Sequence, residues 1–402
     1  MSNTVLTPTA VTREALRILH QKLNFVGNIN RSYDDSFAQT GAKIGDSLKI
    51  RLPNQYTVRT GRAIAVQDTA ETSTTLQIAT QKGVDVNFTS NELTLSLDDF
   101  NKRILDPAMS VLAANIEADA FNMYKDIYNV SDEDGTAFTL LSAMKGRQIL
   151  NDNLTPMDNN RTAILQTGSA VKLMDSVKAL FQDSQAIKEQ YKEGKIGRTA
   201  GFDFYENTLA PSHTSGTAAK TTNYVMNTST GITSGTATLT QLSTGTDTFL
   251  VGDVITVAGV YRVHPESKAV TADLQKFVVT ANSGASATEL AVSPTPVTSG
   301  AKQNISVTSA GASKAIVKIA AGASEVIQGN LFFHKDAFAF ATADLIMPKG
   351  LDFAAREVMD GISMRIVRQY DINNDTLPCR IDVLYGYKTI RPELAVRVHA
   401  DG

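Results

Sequence analysis

Cysteine is almost absent from this sequence, and tryptophan is missing. Because Cys379 is the only cysteine, an intramolecular disulfide and a cysteine-based metal cluster are both excluded, and a reducing compartment is expected. No run of eighteen apolar residues occurs, and the first ten residues lack a basic segment followed by an apolar one. The sequence therefore predicts neither a membrane span nor a secretory signal.

An excess of positive charge is also missing. Lysine and arginine number 38 against 41 aspartates and glutamates, which gives a net charge of -3. Such a chain supplies no basic field for gripping phosphates, so a high-affinity DNA-binding domain is disfavoured. What is present, 42% hydrophobic and 20% charged residues over 402 positions, is typical of a globular chain with room for two or three domains.

Catalytic and ligand-binding motifs are lacking as well. The sequence contains no phosphate-binding G-x-x-x-x-G-K-[ST], no G-x-S-x-G elbow and no H-E-x-x-H helix. Asp132 to Gly135 resembles part of a calcium loop but lacks its first and last acidic ligands, so a solvated turn is the better interpretation. Asp98 and Asp99 fit the start of a helix better than a pair of acid-base catalysts. We expect no catalytic residue, cofactor or metal site, and structural or surface roles for the five histidines His20, His213, His264, His334 and His399.

Charge density marks one segment off from the rest. Between Ser212 and Asn330 only 13 of 119 residues are charged, about half the density found elsewhere. A disordered linker is one interpretation of so polar and charge-poor a stretch. However, Phe249 to Val263, Leu274 to Thr280 and Ala315 to Ile319 are rich in β-branched residues and are separated by turn residues. This pattern favours a small antiparallel barrel or sandwich.

Outside this block the pattern mixes helices and strands without a βαβ repeat. Apolar spacing predicts an amphipathic helix from Pro8 to Val26 and a long helix of about six turns that begins at Asp106 and Pro107. Between them, strands near residues 41–53 and 75–88 predict a long hairpin with a polar tip. Further helices are predicted over 138–150 and 168–181, and strands over 162–165, 331–333, 337–340, 361–368 and 379–385. These elements favour an α+β fold.

Four segments, taken in order, resemble a known family: Gly41 to Val58 with the long helix after it, Gly194 to Gly197 with Ala200 to Tyr205, Val251 to Val260, and Arg380 to Val396. They are similar to the major capsid proteins of tailed double-stranded DNA bacteriophages, which share the Hong Kong 97-type fold. Within that family the β-rich block resembles the inserted domain of the subgroup related to the coat protein of the Salmonella short-tailed phage.

The resemblance implies an α+β capsid fold with a spine helix, an extended hairpin loop, an N-terminal arm and an inserted antiparallel β-barrel. It divides the chain into an arm helix (1–30), hairpin and peripheral strands (31–97), spine helix (98–135), first part of the axial domain (136–211), inserted barrel (212–330) and a final set of axial and peripheral strands (331–402).

The resemblance also implies partners. Copies of the chain would form pentamers and hexamers of an icosahedral shell, around a scaffolding protein and with a portal at one vertex. The genome would be enclosed without tight or specific binding, and assembly would take place in the host cytoplasm, with no membrane involved. An adhesin with a carbohydrate-binding barrel is the alternative, although such a module usually hangs at one end of a chain. A hydrolase would need a site that the sequence does not reveal.

Charge on the hairpin suggests where subunits meet. Basic side chains lie along it, and acidic ones lie near the start of the helices that follow. We expect these two sets to pair between neighbouring subunits, while a solvated loop without such contacts remains an equal alternative. The residues are Lys49, Arg51, Arg59 and Arg62 on the basic side and Glu92, Asp98 and Asp99 on the acidic side.

Overall fold

The computed structural model describes residues 8–32, 47–64, 66–69, 71–89, 104–177, 197–348, 350, 353–359, 362–372 and 376–401. The chain divides into two compact units, which are taken separately below. The first comprises Met1–Ile50, Ser73–Phe121 and Phe338–Ile390, and the second comprises Arg51–Thr72, Asn122–Ala337 and Arg391–Gly402.

Helices and strands alternate irregularly along the described residues, as expected for an α+β fold. The α-helices are α1 Pro8–Lys22, α2 Phe25–Asn28, α3 Asp106–Phe121, α4 Leu140–Asp152 and α5 Thr167–Val177. Short 3-10 helices cover Asn122–Asp126, Lys335–Ala337 and Pro392–Leu394. The strands are β1 Ser47–Arg51, β2 Ser73–Gln77, β3 Thr80–Thr89, β4 Val130–Ala137, β5 Arg161–Leu165, β6 Arg198–Thr199, β7 Phe202–Glu206, β8 Ser212–Thr214, β9 Tyr224–Met226, β10 Thr238–Leu239, β11 Leu242–Ser243, β12 Val254–Val263, β13 Val270–Val279, β14 Leu290–Ser293, β15 Ile305–Val307, β16 Lys314–Ile319, β17 Val326–Gln328, β18 Asn330–His334, β19 Phe338–Ala343, β20 Phe353–Met359, β21 Ile362–Arg368, β22 Thr376–Thr389 and β23 Ala395–Asp401.

The first unit is built on an antiparallel sheet of order β19-β22-β21-β20, with β3 also paired to β22. Helix α1 begins at Pro8, and its predicted apolar face, which includes Val11, Ala15 and Leu19, is buried. This face packs against β20, β21 and α3 of the same unit. The apolar face of the arm helix is therefore covered by elements of its own chain.

The predicted long helix is shorter than expected. Helix α3 ends at Phe121, and a 3-10 turn carries the chain to Asp126. Val130–Ala137 is then a strand rather than the end of a spine helix or a solvated turn, and it pairs in parallel with β23. Ser131 and Glu133 are buried there. The strand with which this segment pairs lies more than 250 residues away along the chain, so its local polar sequence does not reveal the pairing.

The second unit contains a mixed sheet of order β4-β23-β18-β5-β7-β6. Helices α4 and α5 cover one of its faces through an apolar core in which Phe202 and Phe332 are in edge-to-face contact, with ring centroids 5.0 Å apart. The alternation of β23 sends Val396 and Val398 to this core and Arg397 and His399 to the opposite face.

The charge-poor block, also in the second unit, forms an antiparallel sheet of order β10-β14-β13-β12-β16-β9-β11, with β15 paired to β12. This path is open, since no hydrogen-bonded pair of strands joins β10 to β11 within residues 197–348. The block has an apolar core of its own. A two-stranded ribbon of β8 and β17 brings its two ends side by side.

Candidate assembly interface

Strands β1 and β2 pair with each other and begin the predicted hairpin. Beyond them, the Leu52 N–H donates to the Thr72 carbonyl at 2.8 Å. Farther out, side chains rather than a strand ladder join the two arms. The Gln67 side chain accepts from the Thr57 N–H at 2.9 Å and donates to the Thr57 carbonyl at 2.6 Å. The hairpin is therefore held by scattered, exposed contacts.

A tight turn closes the hairpin around Gly61. The φ of Gly61 is +98°, in the region that favours glycine. The Arg59 guanidinium donates to the Gly61 carbonyl and, at 3.1 Å, to the Ala63 carbonyl. Arg59 thus shapes its own turn.

Four large hydrophobic side chains project from the hairpin into solvent. Val58 is 95% exposed, Val66 86%, Ile64 84% and Tyr56 56%. We call these four residues the apolar tip. The predicted polar tip is only part of the end of the hairpin. The turn residues Arg59, Thr60 and Arg62 are polar and exposed, but the Thr- and Arg-rich composition hides two flanking period-two pairs, Tyr56 with Val58 and Ile64 with Val66.

The basic residues predicted for subunit contacts differ in how they are engaged. Arg51 forms an ion pair with Glu71 across the hairpin at 3.2 Å. Lys49 and Arg62 are exposed and have no ion-pair partner among the described residues. The acidic residues predicted to pair with them, Glu92, Asp98 and Asp99, lie outside the described residues.

Buried polar groups cluster where the β-rich block begins and ends. His213 Nε2 lies 2.8 Å from Asp253 Oδ1, and the Asp253 carboxylate also accepts from the N–H groups of Gly216 and Leu250. Burial alone would raise the pKa of Asp253, but these hydrogen bonds lower it overall. Each of these buried polar groups has a hydrogen-bond partner within the chain. The cluster therefore stabilises the fold where the β-rich block begins.

A cleft of about 550 Å³ in the second unit is lined by β4, α4, β12 and β13. Lys276 Nζ donates to the Val130 carbonyl at 2.6 Å, and burial lowers the pKa of this amine. Together with Lys276, the other charged groups of the lining give three positive and three negative side chains: Lys145, Arg262, Asp132, Asp152 and Asp273. Because positive and negative side chains balance and most of them have partners, the cleft has no net preference for an anionic or a cationic ligand.

No group of three or more His, Cys, Asp and Glu side chains among the described residues could hold a metal ion. Among those same residues, no helix is both long enough and apolar enough to cross a membrane.

Comparison with known families indicates whether the protein is an assembling subunit or belongs to another class. The family model described as P22 coat protein, gene protein 5, matches residues 14–398. The chain belongs to the P22 coat protein family. It is therefore a major capsid protein of the phage type, and the expected relationship to phage capsid proteins is confirmed.

Three solved structures from phages are similar to this coat protein at low sequence identity. A Mycobacterium phage Che8 chain is 11% identical, with 94% of this chain and 90% of that one covered and a TM-score of 0.48. The capsid of Ralstonia phage GP4 is 7% identical, with coverage of 91% and 86% and a TM-score of 0.47. The capsid of cyanophage P-SCSP1u is 10% identical, with coverage of 91% and 86% and a TM-score of 0.43. None of the curated proteins matches the chain.

Proposed function

We propose that copies of this coat protein form the pentamers and hexamers of an icosahedral shell around a double-stranded DNA genome. A scaffolding protein would organise the interior during assembly in the host cytoplasm, and a portal would occupy one vertex. Family membership supports this assembly, and the exposed apolar tip is the single structural observation that carries it.

The exposed side chains of the apolar tip would be stabilised by burial against another surface. Fully burying a valine or isoleucine side chain contributes about 1.5–3 kcal/mol relative to leaving it exposed. The hairpin cannot recover this free energy by itself, since Val58, Ile64 and Val66 are all more than four-fifths exposed. Contact with a second subunit would bury them, and repetition of this contact around a shell would sum many modest interfaces.

Substitution at the tip tests this proposal directly. Val58→Asp and Ile64→Asp should each reduce shell yield strongly in electron micrographs and sedimentation profiles, because they place a charge in the proposed contact. Thr60→Asp is the matched control, since it adds the same charge to the same exposed turn without removing apolar surface. Normal shells from both tip variants would refute a role for the apolar tip in assembly.

The Hong Kong 97-type arrangement and the inserted domain belong to the same proposal. The β-rich block supports the second part, because it has its own core and its ends meet in the β8 and β17 ribbon. A net charge of -3 supports the view that DNA is confined rather than gripped. Submicromolar binding of duplex DNA by the purified subunit in physiological salt would contradict that view.

A further inference from the structure

Arg397 is a fully buried cation, and two of its three side-chain nitrogens make no hydrogen bond with the described residues. Its Nη1 donates to the Gly252 carbonyl at 2.9 Å, and its guanidinium carbon lies 4.9 Å from the ring centroid of Tyr124. Nε and Nη2 are buried and make no hydrogen bond of ordinary geometry with the described residues, although the Tyr124 hydroxyl lies near enough to interact with the guanidinium electrostatically. These two nitrogens form one edge of the planar guanidinium, the edge that grips anions with two parallel N–H groups.

A third unused donor lies on the same side of the sheet. His399 is two residues farther along β23, so its side chain leaves the same face as that of Arg397. The Tyr124 hydroxyl lies 3.0 Å from His399 Nε2. With the hydroxyl as the donor of this hydrogen bond, the imidazole proton is on Nδ1. Burial holds the pKa of His399 well below its usual value, so the ring is neutral. Nδ1 is buried and also without a partner in the described chain.

Asp253 and Asp126 favour the charged form of Arg397 electrostatically, but no described carboxylate forms a hydrogen bond with its guanidinium. The buried Lys318 is a second cation, and it donates only to the neutral carbonyls of Gly216 and Gly322. The Asp253 carboxylate is occupied by His213 and by two backbone N–H groups. A buried guanidinium without a hydrogen-bonded counterion is strongly destabilising, since its desolvation is not repaid.

We propose that the Nε and Nη2 edge of Arg397 binds a small inorganic anion such as chloride, with His399 Nδ1–H as a neighbouring donor. All the unused groups are donors, which favours an anion over a cation. Water would accept these hydrogen bonds but would leave the charge of Arg397 unbalanced. Because Nε, Nη2 and Nδ1 are all buried, a monatomic anion, which needs the least room, suits this site best.

The anion would stabilise the fold at the place where β23 meets the turn that precedes β12. Because a ligand that binds only the folded state raises stability with the logarithm of its concentration, the melting temperature should depend on the anion supplied. Experiments should use the purified full-length chain in mixtures of sodium chloride and sodium gluconate at constant ionic strength. The melting temperature is expected to rise as chloride replaces the larger gluconate, and bromide should act like chloride.

Arg397→Lys keeps the charge but removes the two-nitrogen edge, and it should weaken this halide dependence by about tenfold or more in concentration. Arg161→Lys is the matched control. Arg161 is equally buried, but all three of its nitrogens are engaged, by Pro156 O, Asn151 Oδ1 and Thr155 O. This control should lower the melting temperature yet keep the full halide dependence.

Crystals of the unaltered chain grown in bromide give a second test that does not depend on a variant folding. An anomalous bromide peak within hydrogen-bond distance of Arg397 Nε and Nη2 is expected. A melting temperature independent of halide, full halide dependence in Arg397→Lys, or bromide found only on the surface would each overturn the proposal.

Discussion

Ser212 and Gln328 are directly opposite each other in the antiparallel ribbon of β8 and β17. The chain therefore enters and leaves the β-rich block at neighbouring points. His213, Asp253 and Lys318 close the same region from within the block, through hydrogen bonds among its own residues and backbone. These contacts favour a segment that can fold once it is separated from the rest of the chain.

A fragment spanning Ser212 to Asn330 is predicted to fold alone. Its core contains Phe249, Phe277 and thirteen other buried apolar residues, all supplied by the fragment. We expect dispersed amide resonances and a cooperative thermal transition. Phe249→Ala should abolish that transition, since such truncations cost about 3–5 kcal/mol, whereas the exposed Val270→Ala should leave it intact. An unstructured spectrum from the unaltered fragment would favour the disordered-linker interpretation.

Glu117 should make the first unit lose stability as the pH rises. Burial raises the pKa of Glu117 to about 7, although backbone N–H groups of Phe25 and Val26, at 3.1 and 3.3 Å, favour its ionised form. Between pH 4.5 and 7 the folded chain keeps a proton that the unfolded chain releases, so unfolding becomes easier with increasing pH by roughly 3 kcal/mol.

Urea unfolding at a series of pH values measures this effect. Glu117→Gln should flatten the dependence between pH 4.5 and 7, while Glu14→Gln, on the exposed side of α1, should preserve it. An unchanged slope in Glu117→Gln would mean that other groups cause the pH dependence.

Gly329→Ala is predicted to be strongly destabilising. A Cβ at Gly329 would lie 1.7 Å from the Tyr124 hydroxyl oxygen and 2.5 Å from Cζ of the same ring. Tyr124 is fully buried and cannot move aside, so we expect a loss of about 3 kcal/mol or more in the free energy of unfolding.

Two variants check this explanation. Tyr124→Phe combined with Gly329→Ala should recover only part of the loss, because the ring carbon remains too close. Gly284→Ala, where nothing lies within 4 Å, should change stability by less than about 0.5 kcal/mol. Similar melting temperatures for the two alanine variants would contradict the steric argument.

Arg62 is predicted to be the hairpin cation most sensitive to charge reversal during assembly. Arg51 is engaged with Glu71, and Arg59 is engaged with its own turn, whereas Arg62 is exposed. Arg62→Glu should therefore reduce shell yield without changing the circular dichroism of the monomer, and Arg62→Gln should have a smaller effect. Normal assembly of Arg62→Glu would exclude the proposed pairing of Arg62 with acids of a neighbouring subunit.

Elements with a strong local period could be predicted from the sequence. The 3.6-residue spacing of Val11, Ala15 and Leu19 marks the face of α1 that is buried, and β21 and β22 follow their β-branched runs. Strand β4 could not be predicted in this way, because its burial of Ser131 and Glu133 depends on pairing with β23.

The candidate interface can be predicted from the sequence only in part, because its contacts also depend on the local backbone conformation. Arg59 was identified as a contact residue from its charge, but its hydrogen bonds to the turn depend on the local backbone conformation. The average composition of the segment does not reveal the apolar tip, because single apolar residues alternate there with polar ones.

The hydrogen bonds between Thr57 and Gln67 affect how easily the hairpin can bend. Bending matters because the same sequence would occupy both fivefold and sixfold positions in the proposed shell. Exposed side-chain hydrogen bonds of this kind each contribute only about 1 kcal/mol and re-form readily with water. A hairpin held in this way bends at little energetic cost, whereas a continuous strand ladder would resist bending. In the proposed shell, the hairpin could therefore follow the sharper curvature around a fivefold position and the flatter surface around a sixfold one. The two packed units would not need to change.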